Sequence, residues 1–179
     1  MMNTLKKHFV YQADYQHWAN DMLFAAVDAL DEGARQSNQG ISFGSIHKTV
    51  NHILIVTRNW MSRLKQEPVT TTAEEHFIAD WKDLKNALRQ EYRAAQRWLE
   101  AQPESFFDDQ IEYRENHNTS HMIWVRDALT QIMTHAAHQR GQAGQGVQAV
   151  VHGRDRTVAG AGGKHGPERS GGRAQTQLL

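Results

Sequence analysis

The amino-acid sequence predicts an all-α protein, an up-and-down four-helix bundle followed by a poorly ordered Gly-rich C-terminal tail. Three observations lead to this prediction. Four segments repeat apolar residues at steps of three and four, turn-forming residues or prolines separate these segments, and the last part of the chain is rich in glycine. Long helices with short connections favour antiparallel neighbours, hence a bundle. The longer link before the fourth helix leaves room for a crossover.

The first helix is expected from about Leu5 to Leu30. Its apolar residues form two neighbouring rows, which together predict one wide buried stripe. The rows are Tyr11, Tyr15, Trp18, Met22 and Ala25, and beside them Ala19, Leu23, Ala26 and Leu30. Gly33 lies just past the last apolar position and is a predicted C-terminal cap.

Caps and prolines set the limits of the second and third helices. Ser45 follows a glycine and is a good N-cap candidate. The second helix must end before Pro68, because proline has no amide hydrogen and disfavours helix in the residue before it. The third helix ends at Pro103. Its two possible capping boxes pair a threonine with the glutamate three residues later: Thr71 with Glu74, and Thr72 with Glu75.

The last third of the chain is expected to hold a long connection, a fourth helix and the tail. In residues 104–123, Ile111 and Tyr113 alternate with charged residues, which permits a short extended piece. The fourth helix begins near Trp124. Its inward positions are Val125, Ala128, Leu129, Ile132 and Ala136.

The composition of the chain changes after Gln142. Nine of the 13 glycines lie beyond it, and no aromatic residue follows Trp124. So little apolar surface does not offset the entropy lost on ordering. We therefore divide the chain into a bundle domain, 1–142, and a tail, 143–179, that is mobile or non-native. A shifted reading frame in a GC-rich gene produces such a composition, and resequencing the gene tests this idea.

Charge and cysteine content exclude several classes of function. Lys plus Arg number 20 and Asp plus Glu number 20, so no overall charge draws the protein to nucleic acid or an anionic membrane. The absence of cysteine excludes disulfides, thiolate metal sites and iron–sulfur clusters, and it fits a reducing cytoplasm. No apolar run is long enough for a signal peptide or a membrane span. We expect a cytoplasmic protein without nucleic-acid or membrane partners.

Five polar residues on the second and fourth helices deserve a helical-wheel comparison. His135 lies within the inward arc of the fourth helix, Gln139 lies there one turn later, and His138 is about 60° away on the flank. An inward histidine is most simply a buried, hydrogen-bonded residue. The alternative is metal ligation, because neutral imidazole is a common ligand of zinc and nickel. On the second helix, His47 and His52 lie at opposite edges of the apolar arc, and periodicity does not choose between them.

Three segments together resemble the DinB/YfiT-like superfamily of small bacterial four-helix bundles: YQHWANDMLFAA, ISFGSIHKTVNHILIVTRNW and THAAHQRGQ. The resemblance covers roughly residues 5–142 and implies that His52, in the segment N-H-I-L, is the ligand of the second helix. The family's fourth helix usually reads H-x-x-x-H-R-G-Q. Matched on R-G-Q at residues 140–142, His135 is the first ligand of that helix, and Gln139 stands where the second histidine is expected.

The resemblance also implies a metal site and a range of activities. A glutamine carbonyl is a poor ligand for zinc or nickel beside imidazole, which leaves three alternatives: His138 turns in as the third ligand, the ion binds weakly through His52 and His135 alone, or the metal is lost. We favour the first, so the expected metal ligands are His52, His135 and His138. The implied function is a metal-dependent transferase, isomerase or hydrolase that acts on a small molecule, with a low-molecular-weight thiol as a possible second cofactor. The alternative is a non-catalytic, stress-related bundle with a degenerate metal site. A homodimer is expected. The family usually continues beyond R-G-Q with an apolar segment that closes the bundle, which this sequence is expected to lack.

Overall fold

A computed structural model of the protein describes residues 4–69, 76–116 and 119–159. Four long helices dominate it, and they confirm the predicted all-α bundle. In chain order the elements are α1 (Leu5–Asp28), α2 (Glu32–Gln36), α3 (Ile46–Leu64), α4 (Trp81–Ala101), a 3-10 helix (Glu104–Asp108), β1 (Gln110–Asn116), β2 (Thr119–Trp124) and α5 (Val125–Ala159).

Two apolar clusters show how the long helices are arranged. One joins the C-terminal part of α1 to the N-terminal parts of α3 and α4 and to the later turns of α5. The other joins the start of α1 to the C-terminal parts of α3 and α4 and to the start of α5. Helix α1 therefore runs parallel to α5 and antiparallel to α3 and α4.

The directions of the helices agree only in part with the expectation that neighbouring helices are antiparallel. Helices α1 and α3 each pack against both α4 and α5. The antiparallel expectation holds for the pairs α1/α4 and α3/α5, whereas α1/α5 and α3/α4 are parallel. Sixteen residues, 65–80, separate α3 from α4, and an extended chain of that number is longer than α3 itself, which permits the two helices to run parallel. The strands β1 and β2 form an antiparallel hairpin between α4 and α5, which confirms the extended piece expected there.

Of the two predicted caps near α1 and α3, one is confirmed and one is wrong. The side chain of Ser45 accepts a hydrogen bond from the amide three residues later and caps α3. Gly33 does not cap α1, which ends at Asp28. It lies inside α2, because Asp31 starts that short helix by accepting a hydrogen bond of 2.8 Å from the amide of Ala34.

Helix α4 begins later than predicted. Its N-cap is Asp80, and the residues just before it are not helical. The amide of Ile78 donates to Oδ1 of Asn51 at 2.9 Å, and its carbonyl accepts from Nδ2 of Asn51 at 3.1 Å. This pairing with α3 keeps the segment out of the helix. The two predicted capping boxes lie in residues 70–75, outside the described part of the chain.

The predicted buried stripe of α1 is confirmed only in part: Leu23 and Leu30 of its second row are buried, but the row of larger side chains is not. The side chains of Tyr11, Tyr15, Trp18 and Met22 are 67%, 43%, 59% and 57% exposed. The buried face is the adjacent one, and it consists of Phe9, Ala13, Gln16, Asn20, Leu23, Phe24 and Val27. Two polar residues interrupt its apolar spacing, so the row with the larger side chains gave the stronger but misleading pattern.

The tail does not begin at 143 as a poorly packed segment. Helix α5 continues to Ala159, and Ala143, Val147 and Val150 are buried in the apolar cluster with α1 and α3. These three residues supply the closing apolar segment that the sequence was expected to lack. The glycine and polar residues between them lower the apolar fraction of this segment, but the three apolar residues still face the core. Residues 160–179 lie outside the described part of the chain.

Within the described ranges, none of the helices combines the length and the hydropathy that crossing a membrane requires.

Candidate metal centre

Helices α3 and α5 bring two of the predicted ligands into contact. Nε2 of His52 lies 3.0 Å from Nε2 of His135, and the ring centroids are 4.9 Å apart. Two nitrogen ligands, each about 2.0–2.1 Å from a zinc ion and about 90–110° apart, are separated by about 2.9–3.4 Å. The observed separation fits two neighbouring ligands of one ion. It also fits a hydrogen bond between two neutral imidazoles.

Both imidazoles of this pair are held in the neutral form. Burial, reinforced by the neighbouring His135, lowers the pKa of His52 to about 4. Burial also lowers the pKa of His135, and the nearby His138 adds to that effect. A neutral imidazole has a lone pair available for a metal ion, so near pH 7 no proton has to leave these rings before an ion can bind.

The turn before α3 fixes the orientation of His52. The ring of Phe43 stacks on the imidazole with centroids 3.9 Å apart and planes 27° apart. Gly44 follows with φ +80°, a backbone conformation that glycine adopts without steric cost. This turn lets the chain place Phe43 over α3 and then start the helix at Ser45.

Gln139 is the third polar group at the histidine pair. Its Nε2 lies 3.4 Å from Nε2 of His135, and its buried Oε1 has no hydrogen-bond partner among the described residues. A buried carbonyl without a partner costs about 1–3 kcal/mol. Rotation of the amide by half a turn exchanges the oxygen and nitrogen positions, which would direct the carbonyl toward His135. A cation between these residues would then satisfy the oxygen.

His138 is exposed on the outer side of α5. In the part of the chain that the structure describes, no three side chains of the His, Asp, Glu or Cys type form a group able to hold one ion. The structure thus brings His52 and His135 together and places Gln139, rather than His138, beside them. The ligand set of His52, His135 and His138 stays a prediction, and its third member is the one that the geometry supports least.

His47, the alternative on α3, has a different environment. It is 1% exposed, and its Nε2 lies 2.7 Å from the carbonyl oxygen of Ile78. His47 is therefore a buried histidine with a backbone partner. Its partner comes from the extended segment before α4, so the apolar periodicity of α3 alone did not separate the two histidines.

Sequence reasoning missed a second buried polar group, around Arg140. Nη1 of Arg140 donates to Oδ1 of Asn20 at 3.3 Å, and across the core the hydroxyl groups of Thr57 and Tyr92 are 3.2 Å apart. Gln16 and Asn20 lie one turn apart on the buried face of α1. If that face had been predicted correctly, these two polar residues would have indicated a buried polar group.

The fold and the histidine pair define a small helical-bundle protein with a candidate metal centre between two helices. The family model of the DinB family matches residues 1–148. Because this match spans most of the chain, the protein belongs to the DinB family, as the sequence resemblance indicated. A search of curated proteins found no match.

Proposed function

We propose that this DinB-family protein binds one divalent metal ion, zinc or nickel, through His52 and His135 at the α3–α5 interface. The main support is the 3.0 Å separation of the two Nε2 atoms. The lowered pKa values of both rings and the unpartnered carbonyl of Gln139 are consistent with it. The sequence resemblance independently assigns the same two histidines as ligands.

The chemistry of the site is proposed to be that of a metal-dependent enzyme acting on a small molecule. A bound ion with positions left to solvent supplies a Lewis acid that lowers the pKa of a coordinated water or thiol. The protein's own contribution is to keep His52 and His135 neutral, and Phe43 holds the ring of His52 in place. A transferase or isomerase that uses a low-molecular-weight thiol is the specific activity that we propose, and this choice depends on family analogy.

The metal proposal is tested by titrating metal-free protein with Zn²⁺ and Ni²⁺ in a calorimeter. We expect one ion per chain. His52→Ala and His135→Ala should each weaken binding by at least about 100-fold, because loss of an outer-shell partner alone costs about 10–100-fold. His8→Ala is the matched control, since His8 is exposed on α1. Tight binding that survives both substitutions in the pair would refute the proposal.

The same titration identifies the third ligand. If Gln139 completes the site through its carbonyl, Gln139→Ala weakens binding and His138→Ala does not. The reverse result supports the sequence prediction that His138 turns toward the ion. If neither substitution changes the affinity, the two histidines and solvent account for the coordination.

A second candidate function, a non-catalytic homodimeric bundle, is favoured by the exposed stripe on α1. Tyr11, Tyr15, Trp18 and Met22 lie one turn apart and are each more than two-fifths exposed. They present roughly 450 Å² of surface if each exposes about 200 Å² when free. Interaction sites have patches of this size, and it is about half of the 800 Å² or so that each partner of a stable dimer buries. We propose a second copy of the chain as the partner, because such a stripe can pair with itself about a two-fold axis.

Sedimentation velocity tests the dimer. The protein should sediment as a dimer at micromolar concentration, and Trp18→Lys should shift it to a monomer with unchanged circular dichroism. Met122→Lys is the matched control, because Met122 is 62% exposed on the hairpin, away from the stripe. A monomeric wild-type protein, or a dimer that is indifferent to Trp18→Lys, would rule out this interface.

A further inference from the structure

Arg140 lies in the interior of the bundle without an acidic partner. Arg140 is only 9% exposed. The ion pairs of the described residues, such as Arg58 with Glu91 and Arg126 with Asp108, use partly exposed carboxylates elsewhere on the molecule. Arg140 has no such pair among them. Its one hydrogen bond to another described residue is the 3.3 Å contact with Oδ1 of Asn20.

The helix that faces Arg140 presents polar groups that also lack partners. Gln16 and Asn20 on α1 are each 1% exposed. Oε1 of Gln16 and Nδ2 of Asn20 are buried without a hydrogen-bond partner among the described residues. Buried polar groups without hydrogen-bond partners destabilise the folded protein. The charged side chain of Arg140 and the two amides on α1 therefore favour a ligand that supplies the missing partners.

Among the described residues, no carboxylate forms a salt bridge with Arg140. Burial lowers the pKa of Arg140, and the groups that oppose this effect are the phenols of Tyr92 and Tyr15. Arg140 therefore has a positive charge that no carboxylate of the described residues pairs with, and a ligand with one negative charge would neutralise it.

The guanidinium group is not sealed from the outside. Its Nε and Nη2 atoms make no hydrogen bond to described residues, yet they are not among the buried unpartnered atoms. These two donors therefore keep some of the small exposed area that Arg140 has. They lie on one edge of the planar guanidinium group, the arrangement that binds the two oxygens of a carboxylate in parallel.

We propose that Arg140, together with Asn20, binds the carboxylate group of a small molecule at the α1–α5 interface. A carboxylate has a single negative charge that matches the single cation, whereas a phosphate dianion would leave one charge uncompensated. Nδ2 of Asn20 is an additional donor for the bound oxygens, and the buried Gln16 lies one turn earlier on α1. This site lies on a different face of α5 from His52 and His135, and its occupation does not require the proposed metal ion.

The test is thermal unfolding of the full-length, metal-free protein with sodium acetate as the probe, at constant ionic strength set with sodium chloride. Acetate should raise the melting temperature saturably, by about 3–5 °C at ten times its dissociation constant. Arg140→Gln should abolish the shift. Arg126→Gln, which removes an exposed arginine that pairs with Asp108, should retain it. Inorganic phosphate is titrated in parallel and should give no saturable shift.

A second variant keeps the test decisive if Arg140→Gln does not fold. Asn20→Asp places a carboxylate of the chain itself beside the guanidinium group. We expect this variant to melt at a higher temperature without acetate and to lose the acetate response. A wild-type protein without a saturable acetate shift would overturn the proposal. So would a shift that persists in Asn20→Asp, or saturable stabilisation by phosphate alone.

Discussion

Helix α5 presents two different polar surfaces to its two neighbours. Toward α3 it presents His135, whose imidazole meets that of His52, and Gln139, whose amide contacts His135. Toward α1 it presents Arg140, a cation that meets the amide of Asn20. Five residues along a helix correspond to a rotation of about 140°, so His135 and Arg140 face different helices although they belong to one short segment. One short segment of the chain thus directs ring nitrogens toward α3 and guanidinium donors toward α1.

The largest predicted effect restores a histidine on the α3 side. Gln139→His should increase the affinity for zinc or nickel by about 10–100-fold, because imidazole is a better ligand for these ions than an amide oxygen. Gln145→His, at an exposed position of the same helix, is the control and should not change the affinity. Calorimetric titration measures both. If the two sides of α5 are independent, the acetate response of Arg140 stays the same in Gln139→His, and a loss of that response would show that they form one site.

A second prediction concerns pH, because the histidines on the α3 side of α5 change their charge in the acidic range, whereas Arg140 on the α1 side does not. Burial, together with the neighbouring His135, lowers the pKa of His52 in the folded protein to about 4, from its ordinary value of 6.5. Between these values the unfolded chain binds more protons, so the stability of the metal-free protein rises with pH. The contribution is complete above about pH 6.5 and is lost as the pH falls toward 4. A shift of this size is worth up to about 3 kcal/mol, and solvent screening of the partly exposed ring reduces it to about 2 kcal/mol.

Urea unfolding between pH 4.5 and 7.5 measures this dependence. His52→Gln should reduce the slope of stability against pH, whereas Arg140→Gln should leave the slope unchanged, because arginine remains charged throughout this range. An equal slope in the wild-type protein and in His52→Gln would contradict the assignment of a neutral His52.

The smallest predicted effect concerns the packing of α5 beyond the two polar surfaces. A Cβ added at Gly146 would lie 2.8 Å from Cγ1 of Ile46 on α3, and Ile46 is fully buried. Overpacking costs about 1–3 kcal/mol, and the higher helix propensity of alanine offsets about 1 kcal/mol of this. Gly146→Ala should therefore destabilise the protein by about 1 kcal/mol.

Gly144 supplies the matched control for this prediction. A Cβ at Gly144 would meet nothing within 4 Å, so Gly144→Ala should stabilise the protein by up to about 1 kcal/mol through helix propensity alone. Chemical unfolding compares the two variants. Equal stabilisation by both would mean that the helix beyond Gln142 does not pack against α3.

The sequence predicted features that depend on neighbouring residues and missed those that depend on distant ones. The N-cap at Ser45 and the inward direction of His135 follow from local spacing, and both agree with the structure. The choice between His47 and His52 does not, because the partner of His47 is the carbonyl of Ile78, 31 residues away. Family resemblance supplied that choice instead.

Two errors had a common physical cause. On α1, Gln16 and Asn20 interrupt the buried face, so the exposed aromatic row showed the more regular apolar spacing. Beyond Gln142, glycine and polar residues hid an inward row of three small or branched side chains. In both regions the pattern of residue types along the helix did not show which positions face the core. Those positions are identified by the side chains of the neighbouring helices that they contact.

X-ray absorption spectroscopy of the zinc-loaded protein tests the central claim most directly, because scattering from imidazole rings counts the histidine ligands. For the wild-type protein the spectrum should show two imidazoles with Zn–N distances of about 2.0–2.1 Å, and for His52→Ala one fewer. A first shell of oxygen atoms alone, or a spectrum that His52→Ala leaves unchanged, would contradict metal binding by His52 and His135.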